Sequence, residues 1–173
     1  MTYIQKGQFE FRPCKLSDVD HLVNNLRLSD VRECALVGAS PEMALAVPFM
    51  ENGAKGFTIT HKGTPIAMCG VTPLDDVMHV GRIWFLGTNT VDKHWLTIFK
   101  HSKLILSFLK IDYDFVENFV PQDQIQTIKW LESMGFHQEE DPYYFDSVPF
   151  IKLFYCNLDN FEQRISKSRP TMH

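Results

Sequence analysis

The groups in this chain that could move a proton, hold a metal or attack an electrophile are seven histidines, four cysteines and twenty-one carboxylates, and their spacing decides which chemistry is open. His61, His94 and His101 make no HxxxH pair and join no CxxC, so no structural zinc is expected. Cys14, Cys34, Cys69 and Cys156 lie far apart and read as reduced thiols packed like small apolar residues. There is no GxSxG elbow and no P-loop, which leaves serine-hydrolase and nucleotide-hydrolase chemistry without a basis. The turn after Leu86-Gly87-Thr88-Asn89-Thr90 also lacks the closely spaced glycines that let backbone amides wrap a diphosphate.

These residues sit in a chain of 173 residues with 45% apolar content, enough for one core that buries roughly 70% of the unfolded surface. Seventeen basic against twenty-one acidic residues give a net charge of -4, which disfavours nucleic acid and anionic membrane as partners. The lysines of the longest helical stretch alternate with an apolar stripe and read as a solvated face. No apolar run approaches the roughly 20 residues of a membrane span, and the first six residues carry no signal core, so a cytoplasmic protein without disulfides is expected.

The elements that must position the chemistry follow from periodicity. Phe9 to Pro13 alternates as a strand. Ser17 with Asp20 resembles a capping box, ahead of an apolar stripe at Val19, Leu22, Val23 and Leu26. Ser40-Pro41 opens a second, short helix that ends at Asn52-Gly53, with Pro48 inside it. Gly56 to Thr60 and Pro65 to Val71 flank a glycine-containing link and form a hairpin, with Pro73 to Asp76 a polar link beyond it. Val80 to Leu86 has few charges and suits the middle of a sheet buried on both faces. Asp92 to Lys110 is one long amphipathic helix, Tyr113 to Val120 a strand, and Ile125 to Leu131 a helix stopped by Gly135. Phe136 to Glu139 and Phe150 to Cys156 complete a mixed α/β domain over residues 1–157, with 158–173 a polar C-terminal tail.

This order, with the helix-to-strand ending Trp130-Leu131-Glu132-Ser133-Met134-Gly135-Phe136, resembles the GNAT acyl-CoA N-acyltransferase superfamily. Gly81 to Thr88, the lysine-rich helix, Asn118-Phe119-Val120 and the Gly-Phe ending look most like a divergent branch from tailed bacteriophages, whose members are described as internal virion proteins or acetyltransferases. The resemblance implies acetyl-CoA as cofactor and an amine as acceptor. It also implies two central strands that part to admit the pantetheine arm, through Phe85, Leu86, Gly87 and Asn118. The diphosphate is then expected at the segment Thr88 to Trp95, near Thr88, Thr90 and Lys93, although Val91 and Asp92 would crowd or repel it; alternatively Thr90 or Asp92 caps the helix. Where the family often has an asparagine and a proton-donating tyrosine, this chain has Gln124 and Leu131. Tyr113, Tyr143 or Tyr144 could replace the tyrosine, and His79, Asp75 or Asp76 could serve as general base.

Two functions are therefore expected. One is transfer of an acetyl group from acetyl-CoA to an amine in the cytoplasm. The other is a non-catalytic phage protein, in the virion or the host cytoplasm, that keeps the fold and acts through protein partners. Function belongs to the site and not to the scaffold, so the geometry has to choose.

Overall fold

A computed structural model of the chain describes residues 4–75 and 78–168. Among the described residues nine strands form one sheet: β1 (Ile4–Lys6), β2 (Phe9–Pro13), β3 (Lys55–His61), β4 (Thr64–Asp75), β5 (Val80–Gly87), β6 (Phe115–Pro121), β7 (His137–Gln138), β8 (Tyr143–Phe145) and β9 (Val148–Cys156). They are ordered β1-β2-β3-β4-β5-β6-β9-β7, with β8 on β9. The helices are α1 (Leu16–Val23), α2 (Leu28–Leu36), α3 (Pro41–Met50), α4 (Asn89–Lys93), α5 (Trp95–Leu109), α6 (Ile125–Ser133) and α7 (Leu158–Ser168). No helix among the described residues is long and apolar enough to cross a membrane.

The sheet buries both faces. Val19, Leu22, Cys34 and Leu45 from α1 to α3 pack on Met68 and Leu86, with Trp84 beside them. On the other face, Ile98, Leu106 and Leu109 of α5 and Ile128 and Leu131 of α6 pack against Ile83, Phe85, Val116 and Val120. Alternation along β5 therefore sends Arg82, Trp84 and Leu86 to the α1–α3 face and Ile83 and Phe85 to the α5–α6 face.

Local details depart from the sequence expectations. The cap of α1 is Lys15, not Ser17. The carboxylate of Asp18 accepts from the Lys15 N–H at 2.8 Å while also holding Arg12 and Thr58. Residues 28–36, to which the sequence reading assigns no element, form α2. The long helix is two, α4 and α5, broken at His94. Thr88 rather than Thr90 or Asp92 caps α4, its hydroxyl accepting from the Thr90 N–H at 3.3 Å. β4 runs through the expected polar link as far as Asp75, and Leu158–Ser168 of the expected tail is helical, with Arg164 paired to Asp114 at 3.0 Å.

The feature that positions a site is the junction of β5 and β6. They run parallel and pair only through Val80–Phe115, Gly81–Val116 and Arg82–Glu117. Beyond Arg82, β5 pairs only with β4, and β6 beyond Glu117 pairs only with β9. The two middle strands thus part toward their C-terminal ends and leave a gap through the sheet.

Candidate functional site

A cavity of about 410 Å³ occupies this gap and is lined by residues on both faces of the sheet. On the α5–α6 side its walls include Phe85, Trp95, Asn118, Trp130 and Leu131. On the α1–α3 side they include Glu33, Ala44, Trp84, Phe119 and Phe145. Trp130 meets Phe85 and Trp95 edge-on, with ring centroids 5.7 and 4.9 Å apart. The indole nitrogens of Trp84 and Trp130 are buried, and neither has a hydrogen-bond partner among the described residues. A buried N–H without a partner costs about 1–3 kcal/mol, a cost that both indoles carry within the folded chain.

The edge of β5 facing the gap is partly committed. The Arg27 N–H donates to the Gly87 carbonyl at 2.9 Å, and the Gly87 N–H donates to Asp30 at 2.7 Å. Asp30 is also gripped by the Arg27 guanidinium at 3.0 Å, which reaches on to Asp92 at 2.8 Å. Burial works against the Arg27 charge, and the carboxylates of Asp30 and Asp92 more than offset it. Gly87 has to be glycine for packing as well: a Cβ there would sit 2.6 Å from Val91. Thr88 turns its N–H to Ile66 on β4, so alternation along the antiparallel pair turns the N–H and C=O of Phe85 into the gap.

One turn after Asp30, Glu33 lines the same cavity. Its carboxylate accepts from Gln124 Nε2 at 3.3 Å, a bond that spans from α2 to the head of α6 across the parted strands. Burial, reinforced by the charge of Asp30, raises Glu33 from 4.5 to about 7. A carboxyl poised there can take up or release a proton near neutral pH. Cys34 and Cys69 also line the cavity, but burial lifts them to about 11 and about 12, which leaves no thiolate nucleophile at pH 7.

Of the residues singled out in the sequence, Phe85, Leu86, Asn118 and Gln124 line the cavity, as does Leu131. Gly87, Thr88, Thr90 and Lys93 do not. Gly87 is occupied by Arg27 and Asp30, Thr88 is buried as the α4 cap, and Lys93 is exposed on a helix of five residues. Val91 is fully buried and Asp92 is neutralised by Arg27, so neither crowds the space outside α4 as expected. His79 lies in the β4–β5 turn at φ 51°, where its carbonyl accepts from Asp114, at the closed end of the β5–β6 pair. Tyr113 is core there, packed against Gly81. Asp75 accepts from the Met78 N–H at that same end, and Asp76 lies outside the described residues. Tyr143 donates to Glu139 on the outer hairpin and Tyr144 is exposed. The structure therefore brings neither His79 nor Tyr113 to the gap. Glu33, on the unanticipated α2, stands there instead.

The architecture is that of the GNAT acetyltransferases. It superposes on a ribosomal-protein-S5-alanine acetyltransferase from Vibrio fischeri with a TM-score of 0.67 at 14% identity, over 92% of this chain and 98% of that one. A chimera of the spermidine N-acetyltransferase SpeG of Vibrio cholerae and hSSAT gives 0.66 at 10% identity, over 90% and 99%. A structure titled a probable acetyltransferase gives 0.65 at 11%, over 92% and 98%. No protein-family model matches the sequence, and no curated protein does.

Proposed function

We propose that the protein transfers an acetyl group from acetyl-CoA to a primary amine, with Glu33 as general base. The observation that carries this reading is the gap between β5 and β6, walled by backbone of Phe85 and bridged by the Glu33–Gln124 bond. The walls fit the pantetheine arm: Phe85 offers strand backbone to its amides, and Asn118 and Gln124 offer side-chain hydrogen bonds. The Thr90 hydroxyl and the Lys93 ammonium, on α4, are the groups this reading assigns to the diphosphate.

Acetyl-CoA would supply an activated thioester, whose carbonyl carbon an uncharged amine attacks. This chain's part is to make and hold that amine. The ionised Glu33 takes a proton from the acceptor's ammonium, and a group near 7 is matched to that task at neutral pH. The departing thiolate must be protonated from elsewhere, because Leu131 carries no acidic proton. Solvent, or the proton held on Glu33, provides it.

The leucine favours a second reading: a chain that keeps the fold without the transfer and acts through protein contacts, as an internal virion or host-interaction protein. Thermal unfolding with acetyl-CoA separates the two. At a ligand concentration of about 100 Kd, binding stabilises by about 2.7 kcal/mol, a rise in Tm of about 5–10 °C for a chain of this size. No shift at millimolar acetyl-CoA in a folded sample would overturn the acetyltransferase reading and support the second.

A further inference from the structure

We infer that the acceptor is an arylalkylamine, a single primary amine on a flat aromatic body, and not a polycation; this rests on the acetyltransferase reading of the same cavity. The α1–α3 half of the cavity has an aromatic floor. Phe119 stands edge-on to Phe145 at 5.6 Å, and Arg82 covers it at 5.0 Å, while Trp84 lies on the same face of β5 as Arg82. Arg82 is itself held by Glu117, so it closes one side of the floor and carries no unpaired charge into it. Ala39 and Ala44 are the small residues among the lining.

The charges in the walls set how many ammonium groups can enter. Arg27 and Arg82 line the cavity with Asp30 and Glu33, and both arginines are already paired, Arg27 to Asp30 and Asp92 and Arg82 to Glu117. Asp30 already accepts from Arg27, Ser29 and Gly87. Glu33 alone is left to face an ammonium, and its one partner, Gln124, is neutral. A polyamine would bring two or more desolvated charges to walls with one uncommitted carboxylate, so its further ammonium groups would be buried without a partner. One ammonium at Glu33 with a ring over Phe119, Phe145 and Trp84 satisfies both the charge and the apolar surface.

The test uses the full chain and two amines, 2-phenylethylamine and spermidine. Calorimetry first measures acetyl-CoA binding; absence of binding overturns the acetyltransferase reading and this inference with it. With acetyl-CoA bound, thiol release and calorimetric amine binding in the presence of free coenzyme A are compared. We expect kcat/KM and affinity for 2-phenylethylamine at least tenfold above those for spermidine. Equal or reversed preference, or no binding of 2-phenylethylamine by a chain that binds acetyl-CoA, overturns the acceptor assignment alone. Phe145→Leu and Phe119→Leu should each raise the KM for 2-phenylethylamine about tenfold while leaving acetyl-CoA affinity within a factor of two. Unchanged KM in both variants would also overturn it.

Discussion

Replacing Glu33 by glutamine removes one ionisation and little else, because the amide keeps the shape of the side chain and can still bond Gln124. Burial first, then the charge of Asp30, raises Glu33 from 4.5 to about 7. The folded chain thus holds this proton more tightly than the unfolded chain does. Its stabilising contribution is complete below pH 4.5 and is lost as pH rises through about 7. The gap corresponds to about 3 kcal/mol overall, of which about 2.5 kcal/mol falls between pH 5 and pH 8. Urea unfolding of wild type and Glu33→Gln at those two pH values should show the variant gaining about 2.5 kcal/mol on the wild type at the higher pH. Two stability curves parallel within about 0.5 kcal/mol would refute the placement of Glu33 in a desolvated wall. In catalysis, kcat with both substrates saturating should rise with pH and level off near 7, and Glu33→Gln should lose about 10²–10⁴ in kcat together with that break. A wild-type kcat that is flat from pH 5.5 to 8 would sink the general-base role even if the stability result held.

Three other substitutions probe the frame around the gap. Asp30→Ala leaves the half-buried Arg27 without its bidentate partner and the Gly87 N–H without an acceptor, and should cost about 3–5 kcal/mol in urea unfolding. Gly70→Ala places a methyl group into the Lys55 carbonyl and the Trp84 ring, where backbone cannot yield, and should cost about 1–3 kcal/mol and distort the aromatic floor, read as a change in tryptophan fluorescence. Trp130→Phe removes a buried N–H but keeps most of the ring contact with Phe85 and Trp95. Losing that unpaired donor should offset the smaller ring, so the free energy of urea unfolding should change by no more than about 1 kcal/mol.

The parts of this fold that could be read from residues alone are those whose information is local. The hairpin of β3 and β4, the charge-poor β5, and α6 with its stop at Gly135 all follow from period, turn residues and a positive φ of 102°. α2 escaped because it shows almost no stripe: among its apolar residues only Cys34 is buried, while Leu28 is 82% exposed. Its reason to exist is tertiary, since Asp30 meets Gly87 57 residues away and Glu33 meets Gln124 91 residues away. The same holds for the broken helix after β5. Asp92 was a candidate cap by type, yet it turns to Arg27, 65 residues back, and Thr88 takes the capping role.

These two surprises are one arrangement. A turn with glycines can hold a diphosphate on bare amides, because such backbone is unhindered and its N–H groups converge. This turn instead buries Val91 against Gly87, spends the Gly87 amide on Asp30, and ties Asp92 to the same arginine that grips Asp30. The end of β5 is therefore fixed by side chains from α2 rather than by a ligand-binding loop. That fixation has a consequence for the gap. β5 cannot swing back to zip against β6 without breaking the Arg27–Asp30–Gly87 set, so the strands stay parted with no ligand to prop them. The residues that replace the small-residue loop are the same ones that hold the cavity open and place Glu33, one helical turn further along α2, in its wall.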